Sequence, residues 1–295
     1  GFNCRLINPI AAGKYQFPIT PAEMAKLENQ HWRQVAHAID LSFVPMESTS
    51  KASETWLKEN QEDILNVFLN HAGSKGAIIL NSIAAVKRLT PLFRILFAGH
   101  GLQVRENTGL SGHREKEASL SADLVIGTST IDVGVDFKIN FLIFESSDAG
   151  NFVQRLGRLG RHDGYDKDGQ RIVFDGFRAY ALVPNFFVER LFAGEEAVLK
   201  DGDVCDRIHF QTLIREKYRQ INNFEGYYKR WGAVQSFKLL YDLKSPYIQK
   251  QYGGSLERFQ TSCEQVFDIS IRKVAGHIKG WAADWHQLSG QKGNP

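Results

Sequence analysis

The sequence predicts an α/β protein: a parallel sheet with helices on both faces, followed by a mostly helical C-terminal part. Three observations lead there. Ala77–Leu80, Leu124–Ile126 and Phe141–Phe144 are apolar at every position, as strands buried on both faces must be. Segments of helical periodicity fall between such runs, and strands alternating with helices pair in parallel through right-handed crossovers. After Pro184 the strand runs stop and helical spacing takes over.

The elements follow in order. Residues 1–37 carry Pro9, Pro18 and Pro21 and no clear period; they read as an extended linker ending in a short helix over 22–29, with Thr20 as N-cap and Pro21 in the first turn. Ala38–Val44 reads as a strand. Over 50–70, Leu57, Ile64, Leu65 and Phe68 recur near helical spacing. Ala77–Leu80 is a buried strand, and the helix that starts at Ile83 is interrupted at Pro91. Strands are expected at Gln103–Glu106, Leu124–Ile126 and Phe141–Phe144, then a helix over Ala149–Arg158, then a strand at Arg178–Val183. Beyond a boundary near residue 185, Leu213, Ile214, Tyr218, Ile221 and Tyr228 fit one helix. Phe267, Ile271, Val274, Ile278, Trp281 and Trp285 advance by alternating steps of four and three, the seam of one long amphipathic helix.

Composition excludes several classes. With 295 residues, 43% hydrophobic and 23% charged, the chain has the balance of a globular protein rather than a disordered or fibrous one. No apolar run approaches the roughly 20 residues that span a bilayer, and no basic-then-apolar leader opens the sequence, so no membrane partner is expected. Cys4, Cys205 and Cys263 are far apart and odd in number. They form neither a disulfide framework nor a zinc site, which places the chain in a reducing, cytoplasmic compartment with no metal of its own. The net charge of +3 decides little, but residues 208–250 hold 8 basic against 3 acidic side chains, a local excess that suits an anionic partner.

Two segments carry chemistry. Gln154-Arg155-Leu156-Gly157-Arg158-Leu159-Gly160-Arg161 sets arginines three apart at a helix end. Arginine offers a planar, permanent charge matched to phosphate oxygens, and the glycines allow close backbone approach. Upstream, the strand ending at Gly127 runs into Thr128-Ser129-Thr130 and then Gly134 and Asp136. Hydroxyls and free N–H groups at such a turn suit a phosphate, and a carboxylate at Asp136 suits a ribose hydroxyl. Taken alone, this second segment is equally a plain strand–turn–helix with a capping threonine.

Together, in this order, the two segments resemble motifs V and VI of superfamily 2 helicases, whose two RecA-like domains hold ATP between them. Gly76–Asn81 with Ser82 resembles motif IV. The resemblance covers about 38–183. It implies that Arg158 and Arg161 are arginine fingers for the γ-phosphate, that Gln154 contacts the nucleotide, and that Gly134 and Asp136 lie against its ribose. It implies too that Thr128, Asn81 and Ser82 touch a nucleic-acid backbone. The sequence contains no G-x-x-x-x-G-K-[ST] loop, Gly13-Lys14-Tyr15 being no substitute, and no Asp-Glu-x-His box. Those belong to a first RecA-like domain, which would also hold the magnesium. The expected organisation is therefore a linker over 1–37 from a missing first domain, a second RecA-like domain over 38–185, and a helical accessory domain over 186–295.

The octet continued by His162-Asp163-Gly164, with the Tyr180–Pro184 strand and the helical tail, resembles the CRISPR-associated helicase of type I systems, in particular the cyanobacterial type I-D helicase subunit. That implies the C-terminal half of an ATP-dependent DNA helicase that acts on the displaced strand, with single-stranded DNA, a first RecA-like domain and the subunits of an RNA-guided surveillance complex as partners. Ski2-like helicases share the octet, and a non-catalytic RecA-like scaffold is the alternative of a different class. His162-Asp163 lacks the further histidines of a metal nuclease. The aromatics of 208–250, Tyr218, Phe224, Tyr227, Tyr228, Trp231, Phe237 and Tyr241, read either as a stacking surface for bases or as packing on the sheet domain.

Overall fold

The computed structural model describes residues 2–7, 37–47, 51–71, 73–131, 138–161, 164–165, 171–195, 197–218 and 224–289. The chain forms two compact units, residues 1–219 and 220–295.

The first unit is built on an eight-stranded sheet. Its strands are β1 (Phe2–Ile7), β2 (Ile39–Met46), β3 (Gly76–Ile79), β4 (Val104–Asn107), β5 (Leu124–Gly127), β6 (Phe141–Glu145), β9 (Arg178–Pro184) and β10 (Asp203–Asp206). The spatial order is β10-β1-β2-β9-β6-β3-β5-β4, while β7 (Gly164–Tyr165) and β8 (Arg171–Ile172) form a separate ribbon. From β2 to β4 every pairing is parallel. The core strands β3, β5 and β6 are buried almost throughout because helices cover both faces. On one face Ile78, Ile126 and Ile143 meet Leu57, Phe68, Leu89 and Phe93 of the helices over 52–98. On the other, Ile79, Val125 and Phe144 meet Phe152, Phe187, Phe210 and Tyr218. Among the described residues, no helix is long and apolar enough to cross a membrane.

The structure departs from the sequence expectations at definite places. Residues 2–7 are a strand, not part of a linker: β1 runs antiparallel to β2 and parallel to β10. Cys4 and Leu6 are buried while Asn3 and Arg5 face water, the alternation of a strand with one covered face. The proposed short helix over 22–29 lies outside the described residues. The sheet also reaches past residue 185 to β10, and the helix Arg207–Lys217 packs Phe210 and Ile214 into the sheet's core. The boundary between units therefore falls at residues 219/220.

Helix ends differ too. The helix over 50–70 is two, Ala52–Glu59 and Gln61–Asn70, parted at Asn60, whose side-chain amide turns back to bond the Trp56 carbonyl at 2.8 Å. Conversely, Ile83–Ala98 runs through Pro91 unbroken. Pro91 is exposed, so the carbonyl it leaves unbonded sits on the solvent side, while the buried Val86, Leu89, Phe93 and Phe97 hold the helix to the sheet. That burial, roughly 1.5–3 kcal/mol per side chain, outweighs a proline cost of about 3 kcal/mol.

The second unit is helical: Phe224–Tyr227, a π-helical stretch Tyr228–Gly232, Ala233–Asp242, Pro246–Gln251, Ser255–Phe267 and Ile271–Ser289. The single long helix expected from the 267–285 seam starts only at Ile271. Asp268 takes a left-handed conformation, φ +52°, which ends the preceding helix, and Phe267, Val274 and Ile278 still meet in one small core.

Candidate nucleotide and nucleic-acid site

The parallel strands end at one edge of the sheet, and three of the predicted residues lie there. Leu80 donates to the Gly127 carbonyl at 2.8 Å and Thr128 to that of Asn107 at 3.2 Å, so the turns after β3, β4 and β5 stand side by side. Gly127 must be glycine: a Cβ would lie 2.0 Å from the Asn107 oxygen. Thr128 itself is 7% exposed, and its carbonyl accepts from Ile131 at 2.9 Å. Asn81 and Ser82 are exposed. Ser82 caps the helix Ile83–Ala98, its hydroxyl accepting from Ala85 at 3.3 Å.

The centre of this edge is a residue to which the sequence analysis gave no role. Arg155 is 2% exposed, in the last turn of the helix Ala149–Leu156. Helical side chains lean towards the N-terminus, so its guanidinium reaches back to the end of β6. There it donates to Asn81 Oδ1 at 2.8 Å and to the Glu145 carbonyl. Glu145 in turn accepts from the Asn81 backbone N–H at 2.5 Å. A buried cation is thus held by charge-assisted bonds that join the ends of β3 and β6 to the helix that leads into the octet. Asp148 caps that helix by accepting from Asn151 at 2.8 Å. Tyr218 closes the same edge, its hydroxyl donating to the Ser146 carbonyl at 2.6 Å. Burial pushes that phenol well above its ordinary range. Tyr218 stacks on Phe187 at 3.8 Å and belongs to the core, not to a surface for bases.

From Arg155 the octet leads away from this edge. Gly157 to Leu159 continue as tight turns bonded to Val153, Arg155 and Leu156. Gly160 accepts from the His37 N–H at 2.7 Å, beside the start of β2, at the opposite edge of the sheet. Its φ of +76°, with Ile39 and the His37 oxygen 3.3 Å from any Cβ, requires glycine. The two motif segments do not share one edge. Instead Thr128 lies at the carboxyl edge and Gly160 at the amino edge, and the helix carries the octet from one to the other.

Gln154 is exposed, Arg158 is half-buried, and Arg161 is exposed with its Nε donating to the Gly157 carbonyl. Arg161 has a neighbour that sequence reasoning missed. Arg207, first in the helix after β10, has its Nη1 enclosed without a hydrogen-bond partner. Burial, then the adjacent Arg161 charge, draws its guanidinium below the ordinary arginine value. Two arginines so placed make a positively charged corner. Gly134 and Asp136, and His162-Asp163, lie outside the described residues.

A family model described as CRISPR-associated nuclease/helicase Cas3, C-terminal, matches residues 72–164. No curated protein matches the chain. Among solved structures, the Pyrococcus furiosus Hef helicase domain is 20% identical over 45% of this chain and 26% of that one, with a TM-score of 0.30. The C-terminal domain of the DEAD-box protein Dbp5 is 10% identical over 60% of this chain and 96% of that one, TM-score 0.34. T. fusca Cas3 is 15% identical over 50% of this chain and 18% of that one, TM-score 0.38. This chain therefore spans about a quarter of the Hef helicase domain and less than a fifth of T. fusca Cas3. The matched stretch 72–164 runs from just before β3 through Asn81, Thr128 and the whole octet: in the segment that holds the candidate site, this chain is similar in sequence to the C-terminal part of Cas3 helicases.

Proposed function

We propose that this chain is the second RecA-like domain, with a helical accessory unit, of an ATP-dependent DNA helicase or translocase that acts on the displaced strand in CRISPR interference. The observation that carries the reading is the octet itself, in which glycine turns lead Arg158 and Arg161 out of a helix whose own arginine, Arg155, is locked to the strand ends. A phosphoryl group in transfer gathers negative charge on its equatorial oxygens, and fixed arginines stabilise that charge.

In this reading Arg158 and Arg161 meet the γ-phosphate, Gln154 the nucleotide, and Gly134 and Asp136 the ribose. A partner RecA-like domain brings the phosphate loop and the carboxylates that hold magnesium. ATP is hydrolysed only when the two domains close. Thr128, Asn81 and Ser82 meet the strand backbone. Because Asn81 Oδ1 is taken by Arg155, its amide N–H groups are what it offers. Nucleotide and strand would then be read at opposite edges of one sheet, and the Arg155 helix between them is the element through which strand contact reaches the fingers. The protein works in the cytoplasm, recruited by subunits of an RNA-guided surveillance complex.

The test is ATP hydrolysis by this chain together with its phosphate-loop domain, with and without single-stranded DNA. Turnover stimulated several-fold by the strand is expected. Turnover indifferent to DNA, or equal stimulation by an RNA strand of the same sequence, would oppose the DNA motor.

A further inference from the structure

The second unit exposes an aromatic ridge outside its small buried core. Tyr227 is 63% exposed and Trp231, four residues on, is 38% exposed. Trp231 stacks on Trp281 of the last helix, ring centroids 5.5 Å apart and planes within 28°. One turn further, Trp285 is 48% exposed. Tyr227 and Trp231, and Trp281 and Trp285, are each four residues apart, and the Trp231–Trp281 stack joins the two pairs across the helices. The unit's core lies elsewhere, in Ala233, Cys263, Phe267 and Val274, with Phe237 and Phe259 against it. Tyr228, 42% exposed, lies against Phe267 of that core, ring centroids 5.1 Å apart.

Charge indicates what the ridge would meet. Residues 220–295 hold 10 basic against 6 acidic side chains, a net charge of +4, whereas residues 1–219 hold 26 against 27. The whole cationic excess of the chain thus sits in the unit that exposes the aromatics. Every residue of the ridge is Tyr or Trp, flat rings that stack on nucleobases and tolerate water at their polar atoms. A protein partner would use such rings as anchors as well, but gives no reason for the positive charge.

We infer that the ridge Tyr227–Trp231–Trp281–Trp285 is a second nucleic-acid site, which holds single-stranded DNA by stacking its bases while the basic side chains of the unit attract the phosphates. The inference rests on the proposed function, since it assigns a further contact for the same strand, but its test needs no ATP.

The experiment is equilibrium binding of the full chain to a fluorescent 20-nucleotide oligo-dT and to an abasic strand of the same length. Stacking predicts that oligo-dT binds at least about 10-fold tighter than the abasic strand, since one stacked base is worth about 5- to 150-fold, and that tryptophan fluorescence is quenched on binding. The double variant Tyr227→Ala/Trp285→Ala, which removes only the two most exposed rings, should lose about 10-fold or more for oligo-dT and leave abasic binding unchanged. Trp285→Phe should keep most of the affinity. Equal binding of the two strands by the wild-type chain, or unchanged oligo-dT binding by the double variant, would overturn the inference and leave the ridge as a protein-docking face. Either failure would leave the ATPase reading standing, and a failed ATPase test would leave a positive binding result intact.

Discussion

The two units of the chain dispose of their aromatics in opposite ways. In the sheet unit Phe43, Phe152, Phe187 and Phe210 are fully enclosed and meet ring to ring at 5.7–6.3 Å. In the helical unit Tyr227, Tyr241, Tyr247, Tyr252 and Trp285 stand in water, over a core centred on four side chains. A sheet covered on both faces supplies two large cores, and its rings hold the scaffold that positions the octet. A small helical unit has little interior, and several of its rings stay in water. Aromatic rings are thus structure in one unit and surface in the other, these enclosed rings being Phe and these exposed ones Tyr and Trp.

The largest expected effect tests the sheet side. Phe152→Ala removes a ring that touches Phe43, Phe144, Phe187, Phe210 and Tyr218, at a cost of about 3–5 kcal/mol. Hydrogen exchange should quicken throughout β6 and β9 in that variant. If peptides over 271–289 lose as much protection as β6, the two units unfold as one and the comparison fails.

Arg155→Ala comes next. It deletes charge-assisted bonds to Asn81 and Glu145 and should cost about 3 kcal/mol, read from the urea midpoint at constant slope. Arg155→Lys should recover less than half, because the shorter ammonium stem does not bring a donor to the place where Nη1 meets both acceptors. Full recovery would mean that a positive charge near these acceptors suffices, whatever its reach.

A smaller, pH-dependent effect belongs to Glu54, 5% exposed, whose carboxylate receives Arg88 Nε at 2.8 Å and Nη2 at 2.5 Å. The hydrogen bonds and charge of Arg88 hold its carboxyl below the usual range. A depressed folded value means the contribution is complete above the unfolded carboxyl pKa of about 4.3 and is lost as pH falls through the lower, folded value. Glu54→Gln should cost about 1–3 kcal/mol at neutral pH, Arg88 being partly open to solvent, and nothing in strong acid. A penalty that persists unchanged below the folded value would show that shape, not ionisation, is responsible.

The smallest effect tests the helical side. Tyr241 is 71% exposed, and Tyr241→Ala should shift stability by no more than about 0.5 kcal/mol. A loss several times larger would mean that the exposed rings support the unit after all.

Legibility in the sequence followed burial. The strands β3, β5, β6 and β9 were readable because both faces are covered and, apart from Glu145 and Arg178 at strand ends, their positions are mostly apolar. The edge strand β10 and its neighbour β1 were not, because in β1 Asn3 and Arg5 alternate with the buried Cys4 and Leu6, and in β10 only Cys205 is buried. Pro91 misled because helix propensity is local and the packing that overrides it is not. At the site, the octet and Ser82 were legible as residue types in a pattern. The burial of Arg155, its bonds to Asn81 and Glu145, and the approach of Arg207 to Arg161 join residues 10 to 74 positions apart, which no local spacing announces. A better signal existed for Glu145: a carboxylate directly ending an apolar strand invites the question of which cation meets it.

The central claim is that Arg158 is a finger arginine of an ATP-driven motor, and steady-state ATPase tests it most directly. The chain alone should hydrolyse no ATP. Joined to its phosphate-loop domain in the presence of single-stranded DNA, the wild type should turn over, and Arg158→Ala should fall by about 10³-fold or more, with Arg158→Lys little better. KM for ATP should change far less than kcat, because the finger acts chiefly on the transition state. Near-normal turnover in Arg158→Ala, or appreciable hydrolysis by the isolated chain, would contradict the account.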